Sequence, residues 1–287
     1  MAYMWKESYR IGVDEIDEEH YRLFQMLENI LETLDSDDNW FQKKIDLKKS
    51  VFFLKNFVVK TFEDEEAYQK KINFPGIEEH KKEHRNVMKT LFEYEKQLIQ
   101  SDYDRKVVAN FTGLIVSWFV YHVSGSDKKI CKGETPKPAG GDSAATCFRN
   151  GIVDALEKMA GVDIAEIKDE PFSGVPQGVI YVTVGMLGDI PDSILFAFSK
   201  ELALGMFASM TGMEYEDVDE MVCSAMAEVS NIVCGHAATE LADLGFTTDI
   251  TTPQVTMECP IEDEGPFEGV SIDSPLGALQ FIIKKPE

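Results

Sequence analysis

Six side chains in the first half of the sequence are of types that bind transition metals, and their spacing follows presumed helices. They are four histidines and two acidic residues: His20, Glu65, His80, His84, His122 and Asp127. His80 and His84 are four residues apart, so an α-helix places them on one face about one turn apart, as two imidazole ligands of one ion require. Imidazoles mixed with carboxylates suit iron or manganese, and carboxylates are the usual bridges between two such ions. We therefore predict a metal site built from these six residues.

The helices that would position these ligands are indicated by apolar residues that recur every three or four positions. Four such stretches lie within residues 23–34, 52–62, 87–94 and 107–119. Short breaks separate them, the clearest being the Asn-Phe-Pro-Gly sequence at 73–76, so we predict an all-α antiparallel four-helix bundle. A single histidine in a helix is commonly a cap, surface or core residue. Here, however, each predicted helix supplies at least one ligand candidate.

A second candidate site lies in the C-terminal half, on a long helix predicted over residues 219–244. Glu228 and Asn231 are three residues apart, beside Ser224 and Gly235, on a sector next to the apolar face. An acid and an amide thus project side by side from a sector with little bulk, which a second protein could approach closely. Such pairs are also common on exposed helices without any function. The pair alone leaves a structural and a functional role open.

The rest of the C-terminal half mixes helices and strands. Helices are predicted over 148–159 and 200–210, and strands over 178–185, 194–198, 254–257, 270–272 and 279–283. This mixture predicts an α+β domain. Before it, residues 132–143 contain two prolines, three glycines and no large apolar residue, which is typical of a linker. We expect a multidomain chain with a bundle over 1–131, a flexible linker over 132–144 and an α+β domain over 145–287.

Charge and cysteine content limit the classes of partner and compartment. Of the 287 residues, the first 140 include 22 basic and 25 acidic ones, whereas residues 141–287 include 6 basic and 26 acidic ones. This negative field disfavours nucleic acid and anionic membranes and favours a partner that offers a lysine or a metal site, although it could serve solubility alone. Five scattered cysteines without a CxxC pair favour reduced thiols. With no run of 18 apolar residues and no basic-then-apolar leader, we expect a cytoplasmic protein that binds neither nucleic acid nor membrane.

Around its metal ligands the N-terminal half resembles the hemerythrin family, and bacterial hemerythrins in particular. Four motifs carry the resemblance: Trp5, Tyr9 and Ile11-Gly12-Val13 leading to Ile16-Asp17-Glu18-Glu19-His20; Phe62-Glu63-Asp64-Glu65-Glu66; His80-Lys81-Lys82-Glu83-His84; and Trp118 through His122 to Asp127. The likeness covers about residues 1–131. It implies a non-haem di-iron site in which His80, His84 and His122 hold one iron, Glu65 and Asp127 bridge, and His20 holds the second iron.

One ligand of the family is missing. The family motif has a histidine directly before Phe62, where this chain has Thr61. The resemblance implies that the lost residue belongs to the second iron, where dioxygen would bind, so we predict that this iron is held more weakly, with water or the Thr61 hydroxyl as a substitute. Three outcomes stay open: a weakened di-iron site, a mono-iron site, or a site whose occupancy changes with conditions. Sensing of oxygen, redox state or iron is favoured over reversible oxygen carriage.

The candidate site in the C-terminal half also lies within a family pattern. The sequence Glu-Val-Ser-Asn-Ile-Val-Cys-Gly-His-Ala at 228–237, followed by Leu241, Gly245 and Ile-Thr-Thr-Pro at 250–253, resembles the Glu-x-x-Asn helix of the CheC/CheX family of response-regulator phosphatases. The likeness covers about residues 145–285. The first helix after Cys147 has no second Glu-x-x-Asn pair, which favours a one-site CheX-like domain. The resemblance implies a homodimer formed through this domain and a phosphorylated CheY-like response regulator as partner.

The implied mechanism needs only two side chains from this protein. The receiver brings Mg²⁺, a lysine and an activated acyl phosphate, so Asn231 would position a water for in-line attack through its amide. Glu228 would pair with the receiver lysine, and neither residue needs to titrate near neutral pH. We predict a metal-containing sensor joined to a phosphatase; two tethered activities without coupling stay open. The alternative is a non-enzymatic receiver-docking module joined to an iron- or oxygen-binding or storage domain. His236 is predicted to be a core histidine.

Overall fold

The computed structural model of the protein describes residues 4–132, 143–189, 193–261 and 268–284. They belong to two units, one within residues 1–137 and the other within 138–287. The first unit is all-α and the second is α+β, so the predicted multidomain class is confirmed. Most of the predicted linker lies outside the described residues, and its two end residues, Lys132 and Ala144, belong to helices.

The first unit is a bundle of four long helices: α1 (Asp14–Asp35), α2 (Trp40–Lys71), α3 (Ile77–Gln100) and α4 (Arg105–Tyr121). Two helix starts are capped by side chains, since Asn39 accepts a hydrogen bond from the Gln42 amide and Asp104 accepts one from the Lys106 amide. Each helix contacts the next along the chain, and α1 also contacts α4. This closes the bundle around an interior in which side chains from all four helices can meet.

The fourth helix continues beyond Tyr121. A π-helical turn (His122–Ser126) leads into α5 (Asp127–Lys132). The segment Arg105–Ile130 is long and apolar enough to cross a membrane by length and composition, but most of its apolar stretch is buried inside the protein. Its apolar character is therefore explained by its position in the bundle core.

The apolar residues of α2 are divided between two faces. Leu47, Leu54 and Val58 are fully buried, whereas Phe52 and Phe53 are 57% and 60% exposed. Phe62, at the end of the apolar stretch that indicated this helix, is buried in the bundle. The sequence pattern located the helix correctly, but most of its phenylalanines lie outside the core, because the branched aliphatic residues on the opposite face fill the interior.

The second unit begins with α6 (Ala144–Ala155), which ends in a π-helical turn (Leu156–Ala160). A short 3-10 helix (Ile164–Glu166) and two more α-helices follow, α7 (Lys200–Thr211) and α8 (Glu220–Asp243). The strands are β1 (Lys168–Ser173), β2 (Ile180–Gly188), β3 (Ser193–Phe198), β4 (Thr248–Ile250), β5 (Gln254–Thr256), β6 (Glu268–Ser274) and β7 (Gly277–Lys284). They form one antiparallel sheet in the order β1-β6-β7-β3-β2, and β4 and β5 both pair with β2.

Helices cover one face of this sheet. Ile152 of α6, Met206 of α7 and Val229 of α8 line a common core region with Phe196 and Phe198 of β3. Alternate residues of the strands, including Tyr181, Leu195 and Ile282, form a second cluster with Ile261. A side chain at Gly151 would lie 2.9 Å from the Val233 carbonyl oxygen, so glycine there permits the close packing of α6 against α8.

Two strands and one histidine differ from the sequence predictions. The strands β1 and β4 were not predicted; β1 lies at the sheet edge, contains Pro171 and is mostly exposed, so it has no apolar alternation to detect. The prediction that His236 is a core residue was wrong. Its side chain is 29% exposed, with Nδ1 3.3 Å from the Glu240 carboxylate.

Candidate functional site

The six predicted metal ligands meet in the interior of the bundle. None of them is more than 4% exposed. The ligand atoms of Glu65, His80, His84 and His122 all lie within 4.8 Å of one another, and the same limit holds for His20, Glu65 and Asp127. The structure therefore brings together the complete predicted set, as two overlapping groups that share Glu65.

The π-helical turn places the last two ligands together. His122 and Asp127 are five residues apart, and a regular α-helix would rotate them about 140° from one another. In the turn, the Asp127 amide donates to the carbonyl of His122, five residues back, which widens the helix at this point. As a result His122 Nε2 lies 3.1 Å from Asp127 Oδ1.

The two carboxylates lie between His20 and the other three histidines. This is the position that a ligand bridging two metal ions would need. The carboxylate oxygens of Glu65 lie 2.7 Å from His80 Nε2, 3.8 Å from His84 Nε2 and 3.9 Å from His20 Nε2. Those of Asp127 lie 3.1 Å from His122 Nε2, 3.3 Å from His20 Nε2 and 3.4 Å from His80 Nε2.

Two outer carboxylates orient the imidazoles of His84 and His122. His84 Nδ1 lies 3.0 Å from Glu66 Oε1, and His122 Nδ1 lies 3.0 Å from Glu83 Oε2. A carboxylate accepts hydrogen bonds, so each Nδ1 carries a proton and each Nε2 points inward, towards the other ligands. The two Nε2 atoms are only 3.1 Å apart. Although burial lowers it, the charges of Asp127 and Glu83 raise the pKa of His122 well above its ordinary value, so without a metal His122 Nε2 carries a proton that faces His84 Nε2. A metal ion bound between the two imidazoles would replace this proton.

Sequence reasoning did not identify Glu66 and Glu83 as part of the site. Each is the immediate neighbour of a ligand in the sequence, Glu66 after Glu65 and Glu83 before His84. Side chains of this kind commonly hold metal-binding histidines in one tautomer, so acidic residues next to predicted ligands are a usable signal.

The protonation of the cluster also favours a cation. Burial, and then the nearby His122, lowers the pKa of His84 to about 2, so this imidazole is in its neutral, metal-binding form. Burial, and then the charge of Glu65, raises the pKa of Asp127. Among the described residues, Glu65 Oε2 and both carboxylate oxygens of Asp127 have no hydrogen-bond partner. Buried carboxylate oxygens that accept no hydrogen bond are free to bind a metal ion.

Thr61 lies one turn before Glu65 on the same face of α2. It is 1% exposed, and its hydroxyl has no hydrogen-bond partner within the described parts of the chain. The group around His20 therefore offers one imidazole, two carboxylates and at most a hydroxyl. The group around His84 offers three imidazoles.

Two aromatic rings cover the imidazoles. Phe62 stacks on His84 with ring centroids 3.8 Å apart, and Trp118 stacks on His122 with centroids 4.3 Å apart. These contacts restrict rotation of both imidazoles and keep water away from their faces. The same aromatic residues belong to the sequence motifs that indicated the site.

In the second unit, Glu228 and Asn231 lie next to each other on α8. Asn231 is half-buried, and its Nδ2 donates a hydrogen bond to Glu228 Oε2 over 3.3 Å. Glu228 is only 7% exposed, so the carboxyl does not project freely as the sequence suggested. Burial raises the pKa of Glu228 to about 8, against a smaller lowering by the Asn231 amide. The carboxyl is therefore mostly protonated at neutral pH and titrates just above it, a property that the mechanism implied by the resemblance does not require.

Glu228 should make the second unit less stable as the pH rises. Its carboxyl keeps its proton up to about pH 8 in the folded state but ionises near 4.5 when unfolded. Between these values the folded state binds the additional proton, so raising the pH favours unfolding, by a few kcal/mol at about 1.4 kcal/mol per pKa unit. We expect Glu228→Gln to remove this pH dependence in urea unfolding at about pH 5 and about pH 9. The exposed Glu201→Gln variant is the control and should retain the pH dependence. Unchanged pH dependence in Glu228→Gln would contradict the raised pKa of Glu228.

Comparisons with known proteins match these two regions separately. Residues 11–132 match the hemerythrin HHE cation binding domain family, and residues 180–272 match the chemotaxis phosphatase CheX family. The CheY-P phosphatase CheX of Thermotoga maritima is 37% identical over 95 residues, which are 30% of this chain and 61% of that protein. The bacteriohemerythrin of Clostridium acetobutylicum is 27% identical over 127 residues, which are 44% of this chain and 97% of that protein.

A solved structure also aligns with the second region. The CheC-like superfamily protein from a Shewanella species is 24% identical, with a TM-score of 0.45, and the alignment covers 50% of this chain and 97% of that chain. The chain spans about three fifths of the length of the CheX relative. The two family matches do not overlap, and each contains one of the candidate sites. The protein therefore joins a hemerythrin-like domain to a CheX-like domain.

Proposed function

We propose that the CheX-like domain dephosphorylates the phospho-aspartate of a CheY-like response regulator. The observation that carries this proposal is the contact between Glu228 and Asn231 on α8, within the region that matches the CheX family. The CheX relative that is 37% identical over 95 residues is itself a CheY-P phosphatase. The strongly acidic C-terminal half suits a partner that presents a lysine and a bound cation.

Asn231 has the chemistry that this reaction needs. An acyl phosphate in a receiver is already activated, and the receiver supplies Mg²⁺ and a lysine. The half-buried Asn231 amide can donate and accept hydrogen bonds in fixed geometry, so it would hold a water in line with the bond that breaks. Glu228 would pair with the receiver lysine. Because the pKa of Glu228 is about 8, this pairing would release a proton as the carboxyl ionises.

We also propose that the hemerythrin-like domain binds non-haem iron. His80, His84 and His122 would hold one iron, Glu65 and Asp127 would bridge, and His20 would hold a second iron together with water or the Thr61 hydroxyl. Bound iron would supply a redox-active centre able to interact with dioxygen. Glu66 and Glu83 would keep the imidazoles in their binding tautomer, and Phe62 and Trp118 would exclude water.

Together these proposals describe a cytoplasmic signalling protein in which the state of the iron centre sets the phosphatase rate. A homodimer through the CheX-like domain belongs to the same proposal. The coupling rests on the presence of both domains in one chain. It requires that the two states of the iron centre differ in their effect on the phosphatase site.

The lifetime of a phosphorylated receiver tests the function. With the full chain and Mg²⁺ present, we expect phosphoryl loss from a labelled CheY-like receiver to be faster than from the receiver alone. The rate should also differ between oxidised and reduced iron. A receiver that binds but keeps its normal lifetime would contradict the phosphatase proposal and support a docking module. Equal rates in both iron states would mean two uncoupled activities.

A further inference from the structure

The helix α2 has a second apolar face that points away from the metal ligands. Phe52, Phe53 and Val59 are 57%, 60% and 36% exposed, and the two phenylalanine rings contact each other edge to face with centroids 5.7 Å apart. Ile45, two turns earlier on the same side, is partly exposed. Contiguous exposed apolar surface of this kind marks an interaction site more often than an ordinary monomer surface does.

The residues of this face repeat every seven positions. Such spacing keeps side chains close to one line along a helix and is the pattern of helices that pair lengthwise. Ile45, Phe52 and Val59 form an apolar line. A second line runs beside it and consists of Lys49, Asn56 and Glu63, which are all exposed. We call these six residues and Phe53 the α2 outer face.

The charges of the α2 outer face are arranged symmetrically about Asn56. Lys49 lies seven residues before it and Glu63 seven residues after it. If a second α2 packs antiparallel with a two-fold axis at Asn56, each Lys49 faces Glu63 of the partner subunit. The same register brings Phe52 of the apolar line within one residue of the height of Val59 of the partner subunit, on the same side of the interface. A parallel pairing would instead oppose lysine to lysine and glutamate to glutamate.

We propose that the α2 outer face is the interface of an antiparallel two-fold dimer of this chain. A two-fold contact must be self-complementary, because each patch meets a copy of itself. This face meets that requirement in both its apolar and its charged line. An acidic partner would match Lys49 but would oppose Glu63. The proposal concerns the hemerythrin-like domain and does not depend on the proposed phosphatase activity.

Neighbouring charges are compatible with this arrangement. Lys49 is held by Asp46 of the same helix at 3.0 Å, and Lys60 is held by Glu19 of α1 at 2.7 Å. Lys60 lies near Phe53 of the partner subunit in the proposed register, where its aliphatic stem can cover the ring while its ammonium group stays with Glu19. No charge has to be buried alone.

A disulfide at the proposed axis tests the register in the full chain. Asn56→Cys should give a disulfide-linked dimer under mild oxidation, with the bond mapped by mass spectrometry to residue 56 of both copies, because only an axial position meets itself. Asn86→Cys is the matched control, since Asn86 is also an exposed asparagine within a long helix of the same bundle. Equal crosslinking of the two variants would overturn the proposal. So would a bond from residue 56 to a native cysteine of the CheX-like domain.

Charge reversal tests the pairing independently. In the Asn56→Cys background, Lys49→Glu alone and Glu63→Lys alone each bring like charges together and should reduce crosslinking severalfold. The double variant restores opposite charges at both contacts and should recover the original yield. A double variant that crosslinks no better than the single variants would refute the antiparallel pairing. All of these positions are exposed, so folding of the bundle is not at risk.

Discussion

Replacing Asn231 with alanine should abolish the acceleration of phosphoryl loss from the receiver. Alanine removes the amide that would orient the attacking water, whereas Mg²⁺, the receiver lysine and the acyl phosphate remain in place. Loss of one positioning group of this kind costs roughly 100-fold in rate. The measurement is the decay of labelled phospho-receiver at saturating and at limiting concentrations of the full chain.

Glu228→Ala should have a different kinetic signature. If Glu228 sets the docking register by pairing with the receiver lysine, its loss should weaken binding, and saturating receiver should recover part of the rate. Thr239→Ala, at an exposed position of the same helix, is the control and should leave both parameters unchanged. Full activity of Asn231→Ala would refute the assignment of Asn231, and an unchanged KM in Glu228→Ala would refute that of Glu228.

Changing Thr61 to histidine should raise the iron content of the purified protein. The unmodified chain should contain fewer than two irons, because the group around His20 has one imidazole and two carboxylates, while the other group has three imidazoles. A histidine at position 61 adds a second nitrogen ligand on the face of α2 that already carries Glu65. Metal analysis per chain, together with an absorption spectrum in air and under reductant, measures the change.

Two further variants separate ligand effects from packing effects. Thr61→Val keeps the shape of the side chain but removes its hydroxyl, so it should lower the iron content further if that hydroxyl is a ligand. Thr33→His adds a histidine to α1 away from the cluster and should leave the iron content unchanged. Two tightly held irons in the unmodified chain would contradict the weak second position.

Residue type and spacing were sufficient to predict the metal ligand set, whereas the second candidate site also needed the likeness of its surroundings to the CheC/CheX family. The ligand set could be found because histidines and carboxylates at helical spacing have no role in an apolar core, and because each lies beside a recognisable apolar stretch. A spacing of three residues places Glu228 and Asn231 on the same side of any α-helix, but only the resemblance of the surrounding sequence distinguished this pair from an ordinary surface pair. Fold class followed from the change of apolar period between the two halves of the chain.

Other features depended on contacts that are distant in sequence or on the local path of the backbone. The phenylalanines of α2 satisfy helical periodicity on either face, and only packing against α1 and α3 selects the aliphatic face for the core. The burial of Glu228, and with it the rise of its pKa to about 8, comes from the surrounding domain and leaves no trace in the local sequence.

The π-helical turn at His122–Ser126 is the clearest example of a feature that depends on the folded backbone and could not be predicted from the sequence. The sequence identified His122 and Asp127 as ligands, but five residues of regular α-helix would have directed them about 140° apart. Only the folded chain brings them within 3.1 Å, by widening one turn of a helix that is held on both sides by packing in the bundle. Ligand identity is thus a property of the residues, whereas ligand convergence depends on a backbone distortion that the tertiary structure stabilises.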